Sequence, residues 1–258
     1  MWKIDYKKIS NINTEYINEL GFIKKNGDKN KKYNTLQTKW ENLRTKYFTN
    51  NSLYNFTIEE LLTFDFNKLV DIFLEYTKSK VKFDKQILNS ETKKIEIINT
   101  MDNDFSLVFN YSNYDDKIAN FFKRYRKEIG ISSCFYCDTA YINTLSTDSK
   151  GFENENEYET WKRMFDLDHF FPKAQCPILS LSLKNFIPSC KICNSTIKGS
   201  TPFFNLYSLS KSSNLKKEIE QLSPTSNKYS YTDNIVITVV PPFIRNNTQN
   251  YHLEFINC

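Results

Sequence analysis

Two Cys-x-x-Cys pairs, Cys134/Cys137 and Cys190/Cys193, bracket a long insert that holds Asp166, Asp168, His169 and Asn185; Asn194 follows the last cysteine directly. Four thiolates at two such corners make a closed tetrahedral cage for Zn2+, with no position open to a substrate. A cage of that kind is structural. It joins two segments remote in sequence and presents the residues between them as one unit. Asp168 offers a hard oxygen suited to Mg2+ or Mn2+, and Asn194 offers a second, neutral oxygen from the start of a following helix. Two protein ligands, completed by water and phosphate, are how Mg2+ is usually held in phosphate chemistry. His169 is then free to act as general base, taking a proton from a water that attacks phosphorus. The cation would offset charge on the scissile phosphate and the leaving 3′ oxygen. An Asp-His dipeptide alone says little; here both His169 and Asn194 are tied to the cysteine framework. The other histidine, His252, lies near the C-terminus with no acidic-metal context and reads as structural.

These residues need elements to hold them. A strand over 163–170 leads into Asp168 and His169, and Pro172 and Pro177 make the following segment irregular. On a strand Asp166 shares a face with Asp168, where it either assists the cation or supports the loop. A helix starting near Asn194 runs to Lys198 and ends at Gly199. Upstream, 115–129 reads as a helix with Ile118, Phe121, Phe122, Tyr125 and Ile129 on one face, Asp115 and Asp116 at its start, and Gly130 as its stop. Lys123, Arg124, Arg126 and Lys127 near its end suit the helix dipole, and also suit a nucleic-acid backbone beside the first cysteine pair. Residues 1–112 read as a helical scaffold or partner-docking region. There Thr57 and Glu60 form a capping box, and Phe66, Leu69, Val70 and Phe73 make one apolar stripe. The lysine-rich stretch 24–32 is expected as a solvated loop. A short strand over 139–145, an exposed acidic insert over 146–158, a short helix over 215–222 and a strand over 235–240 complete the reading. The fold class expected is α+β, with a helical N-terminal region ahead of a second region, 113–258, that carries the cysteines and short C-terminal strands.

Composition narrows the classes. With 5 Gly and 7 Pro in 258 residues the chain is no loop-rich scaffold, and a net charge of +5 permits contact with a polyanion without requiring it. No apolar run approaches a bilayer span, and the first residues lack the apolar core of a secretion signal. The expected compartment is therefore the reducing cytoplasm, where paired cysteines bind metal instead of forming disulfides. Cys176 and Cys258 are left over and read as inert thiols.

The string Asp166-x-Asp168-His169-x-x-Pro172-Lys173, followed by Leu183-x-Asn185 and by Cys190-x-x-Cys193-Asn194-x-x-x-Lys198, resembles the HNH endonucleases, the ββα-metal or His-Me finger family, in its four-cysteine zinc variant. The likeness covers about 65 of the 258 residues. It implies a ββα-metal core stapled by structural Zn2+, with His169 as general base, Asp168 and Asn194 on the catalytic Mg2+ or Mn2+, and Asn185 holding the loop that orients the histidine. Asn194 stands where many relatives carry a second histidine, so its ligand role is carried over by position. Lys173 and Lys198 either contact phosphate or serve as plain turn and helix-end residues. The resemblance further implies hydrolysis of nucleic acid, DNA before RNA, leaving 5′-phosphate and 3′-hydroxyl ends. The segment from Pro172 to Asn185 is similar to nucleases of bacterial anti-phage defence, including the Septu-type subunit that works beside an ATPase partner. A tRNA-directed toxin nuclease and a non-enzymatic zinc module that binds nucleic acid are the alternative readings.

Overall fold

The computed structural model describes residues 4–24, 27–88, 95–142, 144–145, 162–198, 216–217 and 219. Helices dominate and the strands are short, an α+β chain. Helices α1 (Ile12–Glu19), α2 (Lys31–Phe48), α3 (Ile58–Thr63) and α4 (Phe66–Lys80) come first. A hairpin of β1 (Asp84–Leu88) and β2 (Ile95–Asn99) follows, then α5 (Thr100–Val108) and α6 (Asp115–Arg124). Two further antiparallel pairs are β3 (Thr144–Leu145) with β4 (Lys162–Arg163), and β5 (Asp166–His169) with β6 (Phe186–Ser189). A π-helix, Ile192–Lys198, closes the sequence of connected elements. No helix among the described residues is long and apolar enough to cross a membrane.

Local chemistry explains most of these boundaries. The Thr57 hydroxyl accepts from the Glu60 amide at 3.2 Å, and the Glu60 carboxylate accepts from the Thr57 amide at 2.8 Å, so the reciprocal cap starts α3 as its sequence requires. Asn30 caps α2 through the amides of Lys32 and Tyr33. The hairpin adds two strands to a first region read as helical. Its second strand is a β-branched run, Ile95 to Ile98, and Asn99 both ends it and caps α5 through the Asp102 amide. Helix α6 ends at Arg124 and not at 129. Tyr125 leaves helical dihedrals there (φ −99°, ψ 12°), while its hydroxyl donates to Glu15 on α1 at 2.9 Å. The turns that follow close at Gly130, whose φ of 77° is the left-handed region glycine tolerates. The strand expected over 163–170 is two strands, because the chain changes partner at Met164 and Phe165 from β3 to β6.

One buried core runs through both halves, and the division drawn at residue 112 crosses it. The α4 stripe of Phe66, Leu69, Val70 and Phe73 is buried throughout. Its rings meet the two residues after His169: Phe66 lies 4.8 Å from Phe170, and Phe73 lies 4.8 Å from Phe171. Each such ring stabilises the fold by about 1.5–3 kcal/mol through burial. Polar groups of the irregular segment after His169 are bonded to the helices. Tyr16 donates to the Leu181 carbonyl (2.8 Å), Ser182 to that of Leu61 (2.6 Å), and Lys80 to that of Gln175 (2.9 Å). The helical region is therefore the mould for the loop that carries the candidate site.

The acidic insert 146–158, the strand over 235–240, Gly199, His252 and Cys258 lie outside the described residues. So does most of the expected helix 215–222, of which Lys216, Lys217 and Ile219 are helical.

Candidate metal centre and adjoining site

The four expected cysteines come together. The sulfurs of Cys134, Cys137, Cys190 and Cys193 all lie within 4.8 Å of one another. A tetrahedral Zn2+ with bonds of 2.3 Å needs sulfurs about 3.8 Å apart, so the group is of the right size to hold a metal ion. Backbone amides already point at the sulfurs: Cys190 N–H donates to Cys134 Sγ at 3.2 Å, and Cys193 N–H to Cys190 Sγ at 3.4 Å. Burial pushes the Cys134 thiol up, and burial together with the neighbouring thiols raises Cys193 far more. At Cys137 burial is outweighed by the Thr139 side chain and the amides of Ala140 and Thr139, which bring its thiol down to about 6. A cation that draws the thiolates out relieves this crowding, which is the usual coupling of metal binding to proton release. Cys176, by contrast, is fully buried away from this group, and burial holds its thiol well above the ordinary value.

The first cysteine corner is fixed to the second strand of the site. Pro188 in β6 lacks a ladder donor, but its carbonyl accepts from Phe135 N–H at 3.1 Å, so the knuckle covers the outer edge of the strand. The π-helix then leaves the Cys190–Cys193 corner and lies beside β5. It starts two residues before the expected Asn194 and is wound in the rarer π register, a form frequent at functional sites.

Strand alternation sorts the β5 side chains. Asp166 and Asp168 are half-buried on one face, Leu167 and His169 buried on the other. The register sets Asp168 opposite Ile187 and His169 opposite Phe186. On the acidic face, Lys198 from the π-helix lies 3.0 Å from Asp168 Oδ2 and 3.2 Å from Oδ1. The His169 amide donates to Asp168 Oδ1 at 2.8 Å, and the Tyr136 hydroxyl donates to Oδ2. Asn194 Nδ2 donates to Asp166 Oδ2 at 3.4 Å, and Ser195 Oγ to the same oxygen at 3.5 Å. Asp166, Asp168 and Asn194 thus share one face, yet Asn194 is hydrogen-bonded to Asp166 while the Asp168 carboxylate holds Lys198. The donors are hard oxygens, and the position already accommodates a positive charge, which suits a small divalent cation in place of the ammonium.

His169 is 7 % exposed, and its ring lies among Tyr111 (4.9 Å, edge-on), Phe186 (5.0 Å) and the Ser180 carbonyl. Nε2 is 3.0 Å from that carbonyl. A carbonyl only accepts, so Nε2 carries the proton and Nδ1 keeps the lone pair. Burial, followed by the charges of Lys173 and Lys198, lowers the ring to about 4 against the pull of Ser180 and Asp168. The imidazole is neutral at pH 7, the form a base requires.

Asn185 is completely buried and bonds three backbone groups. Its Oδ1 accepts from Phe171 N–H at 2.7 Å, and its Nδ2 donates to the carbonyls of Phe171 (3.1 Å) and Leu179 (2.9 Å). It ties the end of the 170–185 loop to Phe171 at its start and to Leu179, the residue before the Ser180 whose carbonyl holds His169.

The expected cationic residues divide. Lys173 is exposed, stacks over Tyr111 at 5.0 Å and acts on His169 through its charge; Lys198 is spent on Asp168. Arg124 is paired with Glu19 on α1 at 3.1 Å, and Arg126 is partly buried, with burial lowering its guanidinium. Arg124 therefore has internal structural work. Three contributors were not expected: Tyr136, the Ser180 carbonyl, and Tyr111, whose hydroxyl donates to Asp115 (2.6 Å), itself bound by both Arg163 nitrogens (3.1 and 3.2 Å). The placement of Tyr136 between the two knuckle cysteines was the one visible clue among them.

Comparison with family models, with curated proteins and with solved structures returns no match to this chain.

Proposed function

We propose that this chain is a metal-dependent endonuclease of the HNH type, hydrolysing phosphodiester bonds in nucleic acid, with DNA favoured over RNA. The observation that carries the reading is the β5–β6–π-helix unit, which sets Asp168, a neutral His169 and the loop-holding Asn185 against a four-cysteine group. In this reading the cysteines hold structural Zn2+. Asp168, with Asn194 and Asp166 on the same face, holds Mg2+ or Mn2+, which supplies charge neutralisation at the scissile phosphate and the leaving 3′ oxygen. Nδ1 of His169 takes the proton of the attacking water, while Ser180 keeps the ring in that tautomer. Lys198, at the Asp168 carboxylate, and Lys173, beside His169, would be the groups that meet phosphate. The likeness to defence nucleases supports a role against invading nucleic acid, with an ATPase as partner.

The test is cleavage of plasmid, single-stranded DNA and tRNA by purified zinc-loaded protein with Mg2+ or Mn2+, beside Asp168→Asn. Cleavage of DNA that D168N abolishes supports the reading; cleavage of tRNA alone moves it to RNA. A protein that binds these polymers and cuts none of them leaves the non-enzymatic zinc module, a reading favoured by one observation: both Asp168 oxygens already have protein partners.

A further inference from the structure

The three groups on the Asp168 carboxylate are not equivalent. The His169 amide belongs to the next residue and moves with the strand. The Lys198 ammonium ends a flexible stem and is the group a divalent cation would displace. The third, the Tyr136 hydroxyl, comes from a separate framework, 32 residues away in sequence. Tyr136 sits between Cys134 and Cys137, and that corner is fixed on every side. Phe135 N–H is bonded to Pro188, Cys134 Sγ receives the Cys190 amide, and the Cys134 carbonyl accepts from Asp138 N–H at 2.9 Å. Asp138 holds a left-handed turn (φ 53°) braced by the Ser133 hydroxyl. The phenol has only two torsions, and the Phe135 ring stands edge-on to it at 6.0 Å.

From this geometry we infer that Tyr136 is a positioning residue: its hydroxyl fixes the plane of the Asp168 carboxylate and so aims Oδ1 at the cation. The inference rests on the reading of Asp168 as a ligand of that cation. It makes the cysteine cage, which has no open coordination position of its own, act on the reaction through one phenol. Partners of this kind change metal affinity or activity by about 10- to 100-fold when removed. Tyr136→Phe keeps the ring and its packing and removes only the hydrogen bond.

The experiment compares zinc-loaded wild type, Y136F and D168N by zinc content, thermal midpoint and Mn2+ binding followed by electron paramagnetic resonance, with cleavage as a second readout. The expected result is unchanged zinc and midpoint in Y136F, Mn2+ binding weakened about tenfold or more, and cleavage restored in part by raised Mn2+. Mn2+ binding and cleavage within twofold of wild type overturn the inference while leaving the functional reading standing. Loss of zinc from Y136F also overturns it, since the hydroxyl would then serve the cage. Wild type whose Mn2+ binding is insensitive to D168N overturns both the inference and the reading of Asp168.

Discussion

Asn185→Ala gives the sharpest structural prediction. Asn185 has no solvent exposure and makes three hydrogen bonds to Phe171 N–H, Phe171 C=O and Leu179 C=O. Alanine leaves Phe171 N–H and C=O without a partner in a space closed to water, while the Leu179 carbonyl keeps the Ser182 amide at 3.2 Å. Each buried orphan costs about 1–3 kcal/mol, and the carbonyl, with a second lone pair, lies at the low end. The sum expected is about 2–4 kcal/mol, a large share of the ~5–15 kcal/mol that holds a typical protein folded. Asn185→Asp separates this account from simple loss of bulk. Its carboxylate still accepts from Phe171 N–H but presents a second oxygen to two carbonyls, so at pH 7 N185D is at least as unstable as N185A. Protonation lets the introduced carboxyl donate to one carbonyl. Its folded-state pKa is therefore raised, and the stability it lends is present at low pH and lost as pH rises through that value. Urea denaturation of zinc-loaded wild type, N185A and N185D at pH 7 and pH 5 measures this. A loss below about 1 kcal/mol in N185A, or N185D milder than N185A at pH 7, refutes the reasoning.

Lys198→Met uncovers the Asp168 carboxylate: Mn2+ binding should tighten, while affinity for duplex DNA falls and its salt slope drops by about one, both readable by titration. Phe73→Ala removes the ring that stacks on Phe171 and should cost about 3–5 kcal/mol in urea, with the His169 region loosened as seen by amide exchange. His169 is lowered from 6.5 to about 4 in the fold, so the neutral form it favours lends stability above the unfolded value that is lost as pH falls toward 4. The loss reaches about 3 kcal/mol relative to His169→Gln, measured by denaturation across that window.

What the sequence made legible is what repeats at short range. The Thr57–Glu60 cap and the α4 stripe follow from short spacing, the meeting of the four cysteines from two matched Cys-x-x-Cys pairs, and each is present. Around Asp168, Asn185 and Asn194 the elements run strand, strand, helix in chain order. What escaped depends on partners far along the chain. Nothing in residues 115–129 says that Tyr125 will reach Glu15, or that Arg124 will be consumed by Glu19. The β1–β2 hairpin was hidden because its β-branched run is short and set among helices. The packing of α4 on Phe170 and Phe171 was invisible for the same reason: an apolar stripe declares that it is covered, not by what. Lys198 was read as a phosphate contact or a helix-end residue, and its pairing with Asp168 appears only when the π-helix is laid against β5.

The most direct measurement is the turnover of His169→Ala beside wild type on labelled duplex DNA with Mg2+ or Mn2+, with binding followed in parallel. The account predicts metal-dependent cleavage by wild type that leaves 5′-phosphate ends, and a loss of 100-fold or more on the order expected for a general base, with DNA affinity retained. Cleavage by H169A at the wild-type rate would contradict it.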